Sequence, residues 1–199
     1  MALSQVHSQC VRLLTRILGQ NFVPLLISGD MKPVMDLSRI GFQRYKMIII
    51  AHRGNLNGSS PQLENKVSQI ELCLQKGYDV EIDLRYIVSE KKFYLGHDDP
   101  DENVNLSWIN DRKDRLWIHC KTLDTLDYFS RIQNGFIYFW HQNDNYTLTS
   151  NNLIWAYPGM PITSQAIILL PELKKDVDWE LLKASSCFGI CTDYPTKLN

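Results

Sequence analysis

The chain has 199 residues, of which 44% are apolar and 22% charged, with a formal net charge of −1. That is enough chain for one domain with a real core, and its near-neutral balance gives no electrostatic footprint for nucleic acid or for an anionic membrane. The short basic pairs at 91–92 and 174–175 read as solvated surface. Five scattered cysteines (Cys10, Cys73, Cys120, Cys187 and Cys191) supply no disulfide framework, and the close pair Cys187/Cys191 lacks a second pair for a zinc site. The thiols read as small buried hydrophobes in a reducing, cytoplasmic setting. No apolar run approaches the ~18 residues of a membrane span. Arg12 and Arg16 interrupt the N-terminal apolar stretch, which argues against a signal peptide.

In chain order, Val6, Cys10, Leu13, Leu14, Ile17 and Leu18 recur at helical spacing, predicting an amphipathic helix over 4–19. Pro24, Gly29-Asp30 and Pro33 break it, and a weaker helical stretch follows over 34–44. From Met47 the pattern alternates. A strand over 47–51 ends at His52, a polar loop covers 54–61, and a helix over 63–76 stops at Gly77. Strands are expected at 79–86 and 92–96, the second ending at His97. Downstream come a strand at 116–120, a helix at 123–132, and a strand at 136–140 ending at His141. Strands at 153–157 and 166–170, a helix at 179–184 and a last strand at 188–192 complete the series.

Short apolar strands alternating with helices or loops indicate a mostly parallel α/β sheet. The strand number favours a (β/α)8 TIM-type barrel over residues 47–199, preceded by a helical extension over 1–46. Residues 47–199 fall well short of the roughly 250 of a full barrel, so outer helices must be shortened or missing. An open Rossmann-like sheet is the alternative, but no Gly-x-Gly-x-x-Gly turn follows the first strand.

His52, His97, His119 and His141 stand at or near predicted strand ends, and strand C-termini share one rim in a parallel barrel. Glu81 and Asp83 alternate on one strand and so project from one face. Two carboxylates inside a barrel call for a cation between them, and hard oxygen ligands suit magnesium, calcium or manganese. An exposed edge strand with ordinary surface carboxylates is the competing reading, and the pattern alone does not choose. Trp140, Trp155 and Tyr157 at comparable strand ends read as core, with a pocket for a polar head group as the alternative. Trp108, Trp117 and Trp179 read as packing.

"AHRG" at 51–54, "EN" at 64–65, "GYDVEIDL" at 77–84 and "GHD" at 96–98 occur in order, with weaker echoes in "WIHCKT" at 117–122 and "GICTDYP" at 189–195. This series resembles the glycerophosphodiester phosphodiesterase family of the phosphatidylinositol-phospholipase-C-like superfamily. The remaining strings resemble a compact bacterial or phage-type branch. The resemblance implies a (β/α)8 barrel and a place in lipid metabolism. It implies His52 and His97 as acid/base groups and Glu81 and Asp83 as metal ligands. Arg53 would contact phosphate or orient the carboxylates, Asn65 and Lys121 would contact phosphate, and Glu64 and Asp98 would support them. His141, in the loop after the strand at 136–140, and Glu172 are further supporting candidates by position. Magnesium or calcium is the implied metal.

The family pattern places a carboxylate where this chain has His119. As a softer, neutral ligand, His119 would shift preference toward manganese or zinc. Alternatively Glu172 or Asp193 completes the coordination, or metal binding is weakened or lost. The expected function is therefore metal-dependent hydrolysis of a small or polymer-borne phosphodiester, without nucleic acid or membrane insertion. The alternatives are a lyase-type phosphodiesterase of the same superfamily and a catalytically degenerate binding protein. Residues 1–46 carry no visible chemistry, so a chain starting at Met47 is expected to be soluble and to keep the activity of the full chain. Expression and assay of that truncation check this, and an insoluble product would assign the segment a role in covering core surface.

Overall fold

The structure, a computed structural model, describes residues 47–132 and 135–199. The helices expected over 4–19 and 34–44, and with them the 1–46 extension, lie outside the described residues. β1 (Ile48–His52), β2 (Asp79–Ile87), β3 (Lys92–Leu95), β4 (Glu102–Val104) and β5 (Leu116–Cys120) come first. They are followed by β6 (Ile137–Phe139), β7 (Tyr146–Leu148), β8 (Ile154–Ala156), β9 (Ala166–Leu169) and β10 (Gly189–Thr192). The helices are α1 (Val67–Gln75), α2 (Leu106–Asn110), α3 (Leu123–Arg131) and α4 (Trp179–Lys183). Among the described residues none of them is long and apolar enough to cross a membrane.

The ten strands belong to one mixed sheet. Its parallel part runs β6-β5-β2-β1-β10-β9-β8. β3 and β4 continue antiparallel from β2, and β7 pairs antiparallel with β8. The sheet curls, because side chains from β1, β5, β6, β8, β9 and β10 meet in one cluster: Ile50, Trp117, Phe139, Trp155, Ile167, Leu169 and Cys191. Phe139 and Trp155 stack with ring centroids 4.5 Å apart, which brings the two ends of the parallel run together.

A complete (β/α)8 barrel is not what forms. Among the described residues β6 and β8 share no ladder, and the join is made instead by a loop. The Ser150 amide donates to the Tyr138 carbonyl, and the Ser150 hydroxyl donates to that of Phe136 and accepts from the Tyr138 amide. The expected shortage of outer helices is present. α1, α2 and α3 cover β1, β2 and β5 through a second apolar cluster that includes Ile70, Cys73, Ile82, Leu84, Ile118 and Phe129. No helix follows β6 or β8 before the next strand. The architecture is a curled half-barrel rather than eight full units.

Trp155 settles one of the two aromatic readings. It is 2% exposed and lies between Phe139 and Trp117, so it is core and not pocket wall. Trp155→Ala is expected to cost about 3–5 kcal/mol of stability, the usual range for emptying a large aromatic site. Urea denaturation measures this. Unchanged stability with an altered substrate affinity would restore the pocket reading.

Candidate metal and acid/base site

The ladders on either side of β2 assemble the site. His52 stands opposite Glu81 in the β1–β2 register, and Asp83 stands opposite His119 in the β2–β5 register. Paired and alternate residues share a sheet face, so the four side chains project together above the apolar cluster. One ligand atom each from Glu81, Asp83 and His119 lies within 4.8 Å of the others.

Asp83 is fully buried. Its Oδ2 accepts from the Asn65 amide at 3.0 Å and lies 3.0 Å from Arg53 Nε. Its Oδ1 lies 3.0 Å from His119 Nδ1 and 3.5 Å from Lys121 Nζ, yet has no hydrogen-bond partner. His119 is held on its other side, where Nε2 lies 3.3 Å from the His141 carbonyl oxygen. Its Nδ1 therefore stands close to Oδ1 without the direction of a hydrogen bond. The donor set and the orphaned Oδ1 fit a divalent cation.

Glu81 is nearly as buried, and the Arg53 amide donates to its Oε2 at 3.1 Å. Burial and the adjacent Asp83 push its carboxyl above the usual range, against His52, His119 and Arg53. Burial acts the same way on Asp83, but His119, Arg53 and Lys121 outweigh it and hold Asp83 well below that range. A cation between the two carboxylates would favour the charged form of both.

His52 forms a dyad with Asp193 beside this cluster. His52 Nδ1 lies 2.7 Å from Asp193 Oδ1, and its Nε2 faces Glu81 Oε2 at 3.9 Å. Burial opposes the charged ring, but the Asp193 hydrogen bond and Glu81 overcome it and raise the His52 pKa. Asn55 donates to both Asp193 and Glu64, and Ser59 and Arg53 also donate to Glu64. These bonds and the Arg53 charge outweigh burial and lower the Glu64 pKa. Arg53, with a positive φ of 51°, thereby spans Glu64 and Asp83. Asn65, with a φ of 58°, ends the loop and starts the helix later than its apolar spacing suggested.

His97 arrives differently from the expected parallel rim. β5 pairs with β2 across Val80–Leu84, so β1 (at Asp79–Glu81) and β3 (at Leu84–Ile87) must share the other edge of β2. They run toward each other along it. His52 closes β1, and the Gly96 amide bonds the Asp83 carbonyl just before His97. His97 is half-exposed, with Nδ1 2.8 Å from Asp98 Oδ1.

The remaining expected residues fall as follows. His141 sits beside the site, its ring 5.9 Å from that of His119 and 5.2 Å from that of the exposed Tyr157. Trp140 packs against the outer apolar cluster. Glu172 is committed to the Thr192 hydroxyl and the Asp193 amide. Asp193 Oδ1 is engaged by His52 and Asn55, and among the described residues the third member of the cluster with Glu81 and Asp83 is His119. Asn55 and the dyad role of Asp193 were not read from the sequence. The string "TDYP" held Asp193 but carried no sign of its partner.

No family model matches the sequence, and no curated protein matches it. Solved structures are similar, two of them as follows. One is provisionally assigned as a glycerophosphodiester phosphodiesterase, from Galdieria sulphuraria, with 13% identity over 76% of this chain and 96% of that one at a TM-score of 0.45. The other is a glycerophosphodiester phosphodiesterase from Agrobacterium tumefaciens str. C58, with 14% identity over 76% of this chain and 98% of that one at a TM-score of 0.45.

If His119 is a ligand, His119→Glu adds a hard negative donor and is expected to tighten magnesium or calcium binding, while His119→Ala weakens binding. Calorimetric titration of both variants against the wild type decides this. Unchanged affinity in both would remove His119 from the cation site.

Proposed function

We propose that this chain is a metal-dependent phosphodiesterase of the glycerophosphodiester phosphodiesterase type. The observation that carries this reading is the Glu81–Asp83–His119 cluster standing on the same face as the His52–Asp193 dyad, with Arg53 and Lys121 beside it. The order of the motifs from "AHRG" to "GHD" supports the same reading. The substrate class is a small or polymer-borne phosphodiester.

Glu81, Asp83 and His119 would hold a divalent cation, which when bound offsets charge on the phosphate oxygens and lowers the barrier to attack. Magnesium or calcium suits the carboxylates, and the imidazole brings manganese or zinc into range. Arg53 offers a planar fork and Lys121 a point charge to the phosphate. Asp193 accepts from His52 Nδ1, which leaves Nε2 as the lone pair that removes a proton from the attacking hydroxyl. His97, on the half-exposed loop across the junction, delivers a proton to the departing alkoxide. Proton transfer is needed at both ends of the cleaved phosphodiester bond, and an imidazole can give or take a proton at either.

Leaving-group dependence tests the division of labour. His52→Ala is expected to lose at least ~100-fold in kcat on both an alkyl and a p-nitrophenyl phosphodiester. His97→Ala is expected to lose at least ~100-fold on the alkyl ester and far less on the aryl ester, whose phenolate departs without protonation. The reverse pattern would exchange the two roles. Near-wild-type kcat in both variants, or turnover indifferent to chelator, would overturn the proposed function.

A further inference from the structure

The half-exposed loop that carries His97 is held by one side chain that the mechanism above does not use. Arg85 follows Glu81 and Asp83 on β2 at the same two-residue spacing, so it projects from the same face, one step farther along the strand. Its Nε donates to the Gly96 carbonyl at 3.1 Å, and its Nη2 donates to the carbonyls of His97 and Asp98, both at 2.6 Å. Three consecutive carbonyl oxygens thus converge on one guanidinium, a planar, multiply donating group that a lysine ammonium cannot copy.

The loop's own chemistry makes such a clamp necessary. Gly96 has a φ of +144°, and a Cβ there would collide with the Asp99 carbonyl oxygen, so the chain turns too tightly for a side chain. Carbonyls turned inward in so tight a bend need a donor, and β3 ends before it can supply one. The other side of the loop is tied elsewhere. Lys66 pairs with Asp101 at 2.6 Å, Glu102 caps the Val67 amide, and the Asp101 amide bonds the Leu95 carbonyl. These contacts fix the exit of the loop, and among the described residues only Arg85 donates hydrogen bonds to the carbonyls of Gly96, His97 and Asp98.

We propose that Arg85 is a positioning residue that sets His97 against the leaving group, so that one face of β2 carries both the candidate cation ligands and the clamp for the acid. This rests on the phosphodiesterase reading, and specifically on His97 as the acid. A misplacement of about 1 Å in a catalytic group can cost ~100-fold, which sets the scale of the expected effect.

The test compares wild type, Arg85→Ala, Arg85→Lys, His97→Ala and the Arg85→Ala/His97→Ala double variant, all in the full chain and metal-loaded. Arg85→Ala is expected to lower kcat on an alkyl phosphodiester by ~10–100-fold with little change in KM, and to spare the p-nitrophenyl ester. The double variant should be no slower than His97→Ala alone, because both changes remove the same proton delivery. Guanidinium ion should restore part of the Arg85→Ala rate, and Arg85→Lys should behave like Arg85→Ala. A readout independent of turnover is amide hydrogen exchange. Gly96 should lose at least ~10-fold of its protection in Arg85→Ala while β5 amides keep theirs. Should Arg85→Ala fail to fold, Arg85→Lys carries the same comparisons. Wild-type protection at Gly96, additive losses in the double variant, or equal loss on both esters would overturn the clamp. Full activity in His97→Ala would instead overturn the acid assignment, and exchange at Gly96 would then still decide whether Arg85 holds the loop.

Discussion

Two carboxylates buried side by side on β2 are the constraint around which the rest of the site is organised. An isolated pair of this kind would be expelled or neutralised, since each ionised group loses its water and repels the other. Positive or hydrogen-donating groups therefore converge from four directions. The Arg53 amide and guanidinium come from the end of β1, the Asn65 amide from the loop before α1, His119 from β5, and Lys121 from just past it. The convergence is incomplete. Asp83 Oδ1 receives no hydrogen bond, although His119 Nδ1 and Lys121 Nζ stand close to it. The proposed cation would supply the partner that this buried oxygen lacks.

The apolar cluster beneath gives this arrangement its leverage. Trp117, Phe139 and Trp155 fill the space enclosed by the curled sheet, so the carboxylates sit above a dry floor rather than a water channel. Low local polarisability strengthens every charge interaction on the rim. The same rings bring β6 and β8 together where no ladder joins them, so one set of side chains serves as the floor of the site and as the closure of the sheet. This accounts for how a short chain with few outer helices still presents a concave rim.

Much of this was legible in the sequence, for identifiable reasons. Apolar strands such as Leu116–Cys120 and Gly189–Thr192 stand out by composition, and the Glu81-x-Asp83 spacing fixes a shared face whatever the fold. What escaped was set by non-local partners. β4 and β7 are short strands whose pairing comes from their neighbours, and Tyr146–Leu148 has little apolar pattern of its own. The helix expected from Leu63 begins only at Val67, because Asn65 adopts a left-handed conformation to reach Asp83, and no propensity scale contains that demand. Asp193 read as a spare metal ligand because its true partner, His52, is 141 residues away in the chain. The number of strands suggested eight units, but β3, which turns back along β2, looks like any other strand in sequence.

That excursion matters to the chemistry. On a strictly parallel rim, neighbouring strand ends sit side by side, and two acid/base groups on adjacent strands would both approach a substrate from the same flank. By folding β3 back along β2, the chain brings a second strand end toward β1 from the opposite direction. His52 and the loop of His97 then face each other along a single edge, with Glu81 and Asp83 as the two steps between them. Attack and departure in phosphoryl transfer occupy opposite sides of phosphorus, roughly in line. Under the proposed reading, the head-to-head junction would give His52 and His97 that opposed placement from one strand's edge. A half-barrel would then offer both without a complete ring of strands.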